Sequence, residues 1–185
     1  MPQPVRVKGS ALAARVQYVR EKGEEAYRRF LEALSPETRR LADGFLLIEW
    51  YPFPMFIELC TVIDRLYGQG DLALCFELGR YACDVNLKTI YRLIFKVGSV
   101  QFILRRSAMA WKMNYDAGEM VVRSEEPKSA MLEIVGFPAP HRAHCLSVKG
   151  WMMRALELSG AREPSMKERC KCNGDDRCEF QARWR

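Results

Sequence analysis

Apolar positions recur at helical spacing through the first 118 residues, and beyond Gly118 they alternate in short segments separated by turn residues. After a strand-like stretch at 5–8, Ser10 is placed to cap a helix over 10–22 that Gly23 stops, and a second helix follows over 24–34. Ser35-Pro36-Glu37 restarts a helix with proline at its first position. A continuous apolar run at 45–50 leads into Tyr51-Pro52-Phe53-Pro54, predicted to be extended because a proline disfavours helix in the residue before it. The segment 55–67 reads as an apolar helix ended by Gly68-Gln69-Gly70. Asp71 is the cap expected for the next, whose stripe is Leu74, Leu78, Tyr81 and Val85, with Gly79 leaving room for a close neighbour. A further helix is predicted over 87–97.

The segment 99–116 reads as one helix with two apolar faces at 100° per residue. Val100, Ile103, Leu104, Ala108, Trp111 and Tyr115 form the core stripe. Phe102, Met109 and Met113 lie opposite among Arg105, Arg106 and Lys112, a face expected to be buried under other elements or in a dimer. Strands at 120–124 and 130–137 flank Glu125-Glu126-Pro127-Lys128 as a hairpin. A helix over 144–158 follows. Strands at 164–172 and 177–184 then flank Asn173-Gly174-Asp175-Asp176 as a second hairpin. The expected class is α+β: an N-terminal helical bundle packed on a small antiparallel sheet formed by the C-terminal hairpins, with one intervening helix. The 185 residues suit a single domain, 1–185, with a helical half at about 1–118 and an α/β half at about 119–185.

The composition is that of a globular chain, 49% hydrophobic and 28% charged, with a formal charge of +6. Its basic residues are dispersed among acids, which argues against a nucleic-acid surface. No apolar run has bilayer-spanning length and residues 1–10 lack a signal-like stretch, so a cytoplasmic protein is expected. Seven cysteines in such a compartment should be thiols or metal ligands. If the last hairpin turns about Gly174, residues whose numbers sum to 348 face each other. Cys170 then lies opposite Cys178, with Cys172 on the same strand face as Cys170. Cys145, near the start of the preceding helix, can join them. Such a set offers soft ligands for tetrahedral zinc, with His144 or Glu168 as alternates, or it is a set of small buried side chains.

His144-Cys145, Gly150-Trp151, Leu156-Glu157-Leu158, Cys170, Gly174-Asp175, Cys178 and Phe180 together resemble the C-terminal signature of the 4-vinyl reductase domain family. Upstream, Trp50-Tyr51-Pro52, residues 67–71 and residues 111–118 resemble an uncharacterised paralogous bacterial group. The resemblance implies a fold shared with heme nitric-oxide-binding domains and transport-particle subunits, enclosing a ligand pocket. It also implies a zinc site at Cys145, Cys170 and Cys178. Where that family has a glutamate ligand this chain has Lys167, with Glu168 displaced by one, so Cys172 is the candidate replacement.

The function expected from these features is small-molecule binding or sensing in a hydrophobic pocket, signalled through a partner. Phe102, Trp111, Tyr115 and Trp151 are the ligand-binding candidates for a small hydrophobic or aromatic molecule; Cys145, Cys170, Cys172 and Cys178 are the metal candidates, zinc being the metal considered. A protein-interaction module, homodimeric through the Phe102 face, is the alternative. A thiol-dependent enzyme is the weaker one, since Cys145 at a helix N-terminus would favour its thiolate but no hydrolase, phosphate-loop or zinc-protease motif is present. Heme is argued against, because His141 and His144 are the only histidines, neither lies in the central helices, and no Tyr-x-Ser-x-Arg heme-propionate motif is present.

Overall fold

A computed structural model describes residues 4–88 and 99–185; the helix predicted over 87–97 falls almost wholly outside the described residues. The first strand, β1 (Arg6–Lys8), runs straight into α1 (Gly9–Arg20) and is followed by α2 (Glu24–Ala33) and α3 (Pro36–Ala42). Ser35 caps α3 by accepting a hydrogen bond from the Thr38 amide, with Pro36 in the first turn where no amide hydrogen is needed. Strand β2 (Trp50–Pro52) pairs antiparallel with β1. The extended segment is shorter than expected, because Phe53 and Pro54 already belong to α4 (Phe53–Tyr67). Proline is tolerated there for the same first-turn reason, so Tyr51-Pro52 is extended and Phe53-Pro54 is not.

Helix α5 (Leu74–Lys88) is anchored by a group that sequence spacing does not indicate. The Asp64 carboxylate, from α4 and fully buried, accepts hydrogen bonds from the Leu72 and Leu74 amides at 2.9 and 3.1 Å. Asp71, the expected cap, takes only the Ala73 amide. The segment expected to form one helix at 99–116 is two, α6 (Val100–Arg105) and α7 (Ser107–Asn114), broken at Arg106 with φ −94° and ψ −1°. That break removes the common face predicted for Phe102, Met109 and Met113. Met109 is 49% exposed, and Phe102 lies beneath the Arg106 guanidinium at 4.4 Å.

The sheet is four-stranded and antiparallel in the order β3-β4-β6-β5, from β3 (Glu119–Glu126), β4 (Ser129–Val135), β5 (Ser165–Arg169) and β6 (Cys178–Arg183). Both predicted hairpins are present, and β4 pairing with β6 joins them into one layer. Helix α8 (Arg142–Leu158) connects the hairpins. It crosses α5 through two glycines: a Cβ on Gly79 would overlap the Ser147 carbonyl, and one on Gly150 would overlap the Phe76 carbonyl. This is the close approach that Gly79 signalled. Most buried apolar residues, from Val5 to Trp184, form one core cluster spanning both halves, and Cys83, Ile103 and Ala155 form a small second one. The α+β class is the one expected.

Candidate functional site

Between α1, α5, α7, α8 and β3 lies a cavity of about 80 Å³, room for roughly five to eight waters. Ala11, Ala82 and Ala110 keep side-chain volume out of it, and Trp111, Tyr115, Met120, Val148, Trp151 and Met152 give it an apolar wall. Its existence follows from the α5–α8 crossing. Two helices held at backbone contact by glycine splay apart beyond the contact, and small residues there leave the gap unfilled. Three of the four aromatic candidates, Trp111, Tyr115 and Trp151, are brought together in this wall. Phe102 is not: it lies under the Arg106 guanidinium, outside the cavity lining.

The polar part of the wall contains a residue the sequence reading missed. Arg15, in the middle of α1, is 4% exposed; its Nη1 donates to the Ala11 carbonyl at 3.0 Å and its Nη2 donates to Ser147 Oγ. The guanidinium also lies over the Phe56 ring at 4.6 Å. The signal was available. Leu12, Arg15, Val16 and Val19 share one face at helical spacing, so a cation sits on the buried stripe of α1. Arg15 Nε and Ser107 Oγ are buried with no hydrogen-bond partner.

Beside the cavity, His144 occupies an aromatic cage. Its ring centroid is 5.0 to 5.1 Å from those of Tyr115, Phe137 and Phe53, and 5.8 Å from that of Trp111. Nε2 has no partner, and burial pushes its pKa down to about 3, with the Arg15 charge acting in the same direction. It is a neutral core imidazole. Glu168, the other alternate ligand, is taken up in ion pairs with Arg142 at 2.6 Å and Lys149 at 3.8 Å.

The sulfurs of Cys145, Cys170 and Cys172 lie within 4.8 Å of one another, Cys145 from α8 and the other two from the β5–β6 connection. The pairing register of that hairpin is the expected one, Ser165 opposite Arg183 and Arg169 opposite Glu179, which extends to Cys170 opposite Cys178. Cys172 reaches the group differently. Residues Lys171–Asn173 form a 3-10 turn, closed by Gly174 at φ +90°, rather than continuing the strand. Asp175 holds the turn by accepting from the Cys170 amide at 2.7 Å. Burial raises all the thiols here, but hydrogen bonds from Cys145, Cys172 and Arg142 outweigh it at Cys170, which lies below the ordinary thiol value; Cys145 is raised. Cys172 is the one exposed cysteine of the seven. Limiting iodoacetamide on the native chain is expected to label Cys172 alone, read by peptide mass spectrometry. Labelling of Cys60, Cys75 or Cys83 at a comparable rate would show that the helical core opens.

An α+β sheet-and-bundle with a side-chain-lined cavity under its central helices is the class that fold and site define. The sequence matches no protein-family model and no curated protein. Its solved structural neighbours include an H-NOX protein from S. oneidensis in the Fe(II)NO state, with TM-score 0.75 and 13% identity over 96% of this chain and 99% of that one. An oxygen-binding H-NOX domain related to soluble guanylate cyclases superposes with TM-score 0.67 and 9% identity, covering 96% and 95%. A third structure, described for modulation of heme redox potential through porphyrin distortion, has TM-score 0.67 and 11% identity, covering 96% and 99%. At these identities the likeness is one of fold.

These neighbours correct the cofactor expectation. Histidine placement and the missing Tyr-x-Ser-x-Arg motif speak against heme, yet the fold is one in which Fe(II) and heme proteins are built, and heme iron also accepts tyrosine, thiolate and thioether ligands. Of such donors the described lining offers Tyr115, Met120 and Met152. A macrocycle would require walls that now enclose about 80 Å³ to part, so the cavity as it stands does not fit one. Zinc finds no support in this comparison, whose metal is iron. Among the described residues no helix is long and apolar enough to cross a membrane.

Proposed function

We propose that the chain is a small-molecule-binding sensor domain that takes a compact, largely apolar ligand into the cavity and passes its occupancy to a partner protein. The observation that carries this reading is the cavity itself: an apolar wall of Trp111, Tyr115 and Trp151 with a few convergent polar groups, formed where four helices and the sheet meet. The H-NOX neighbours support it, being ligand-binding proteins of the same fold. The resemblance of residues 144–180 to the 4-vinyl reductase domain family supports it as well. In this reading 1–185 acts as one unit, and Cys145, Cys170, Cys172 and Cys178 tie α8 to the sheet beside the cavity as a thiol site.

Occupancy is readable outside the cavity because its walls are load paths of the fold. Met120 lies on β3, whereas Val148 and Met152 lie on α8, so a ligand that spreads them shifts the sheet against the helix. Small aromatic molecules are expected to quench the Trp111 and Trp151 fluorescence saturably. Ala82→Leu, which places three carbons in the cavity, should weaken that binding roughly tenfold or more while leaving the fold intact. Saturable quenching that Ala82→Leu does not change would place the ligand elsewhere and overturn the proposal.

A further inference from the structure

Arg15 is the one charged side chain of the described cavity lining, beside the neutral polar groups of Ser107, Ser147, Asn86, Asn114 and Tyr115. Arg15 Nε–H is buried without an acceptor, and so is Ser107 Oγ. Ser147 Oγ accepts from Arg15 and keeps its own hydroxyl hydrogen to give. No carboxylate stands among the described lining residues, and Arg15 makes no ion pair with any described aspartate or glutamate. Residues 1–3 and 89–98 contain no acidic residue at all. A guanidinium removed from water is normally matched by an anion with a geometry that satisfies its fork. The nearest candidate within the chain is Cys60, whose thiol is pushed up by burial but held below its ordinary value by Cys75 and by Arg15. Arg15 lines the cavity and Cys60 does not, and Arg15 Nε has no hydrogen-bond partner.

We infer that the cavity selects a small monoanion with an apolar body, a short aromatic or branched carboxylate, whose head accepts from Arg15 with Ser147 and Ser107 donating beside it. The inference rests on the reading of the cavity as a ligand site. The body of such a molecule stacks on Trp111 and Trp151, and a single ring with one short substituent matches the space of roughly five to eight waters. A primary amide of the same shape can offer its carbonyl oxygen to the guanidinium but no negative charge, and the stronger charge-assisted bond of the carboxylate is the basis of the discrimination.

The test is titration of the full chain with benzoate, phenylacetate and isovalerate against their primary amides, by calorimetry or tryptophan quenching. At least one acid is expected to bind roughly tenfold or more tighter than its amide. Arg15→Met should abolish that preference with the amide affinity little changed, and Arg15→Lys should keep part of it. Because Arg15→Met removes a buried group, Ser147→Ala gives a second reading and should weaken the acid several-fold with the amide unmoved. Equal binding of acid and amide, or a preference that survives Arg15→Met, overturns the inference while the ligand-cavity reading stands. Failure of every probe, charged or neutral, removes both.

Discussion

Gly150→Ala and Gly79→Ala are each expected to destabilise the protein by about 3 kcal/mol in urea unfolding. Both glycines sit inside helices, where alanine by itself would add roughly 1 kcal/mol of stability. The sign reverses because of where the helices cross. A Cβ at Gly150 would overlap the Phe76 carbonyl and one at Gly79 the Ser147 carbonyl, and these are backbone atoms that cannot rotate aside. Relief requires α5 and α8 to separate, which unpacks Leu78, Ala82, Cys83 and Ala155, all nearly inaccessible to solvent. The double variant should cost less than the sum, since the first substitution already forces the separation that the second needs. A stabilised Gly150→Ala protein would show that the two helices are not in backbone contact.

Acidification should weaken the fold through His144 with a slope approaching about 1.4 kcal/mol per pH unit between pH 6 and 4. In the unfolded chain the imidazole takes a proton as pH falls through its usual value of 6.5. In the folded chain the aromatic cage withholds that proton until about pH 3. The unfolded state therefore binds more protons throughout this interval, and folding stability drops as pH falls. At pH 4.5 the loss amounts to about 3 kcal/mol relative to neutral pH. Carboxylates titrate in the same range, so the measurement is a difference: His144→Phe keeps the cage apolar and removes the ionisation. The stability of the wild type minus that of the variant should be flat above pH 7 and fall steadily below pH 6.5. Parallel curves would show that His144 reaches water or an acid partner.

Much of the plan was legible because its determinants are local. Ser35-Pro36 marks the start of α3, the turn residues at 173–175 set the register that puts Cys170 opposite Cys178, and Gly79 announced a close neighbour. The misreadings share a cause as well. Helical spacing continues unbroken across Arg106, so nothing in the periodicity reveals that α6 and α7 are separate or that Phe102, Met109 and Met113 share no face. Neither the histidine positions nor the missing Tyr-x-Ser-x-Arg motif reveals the tertiary fold that the H-NOX proteins share with this chain.

The sequence by itself determined the class of fold, most of the elements, the strand register of the last hairpin and the aromatic character of α7, because each depends on residues within a few positions of one another. Only the tertiary structure decided what those elements enclose. Asp64 caps a helix that begins ten residues later, Arg15 reaches Ser147 across 132 residues, and the cavity exists because two glycines on different helices meet opposing carbonyls. None of these relations has a period or a spacing. They arise from packing whole elements against one another, where the position of one backbone sets the space left to side chains far away in the chain.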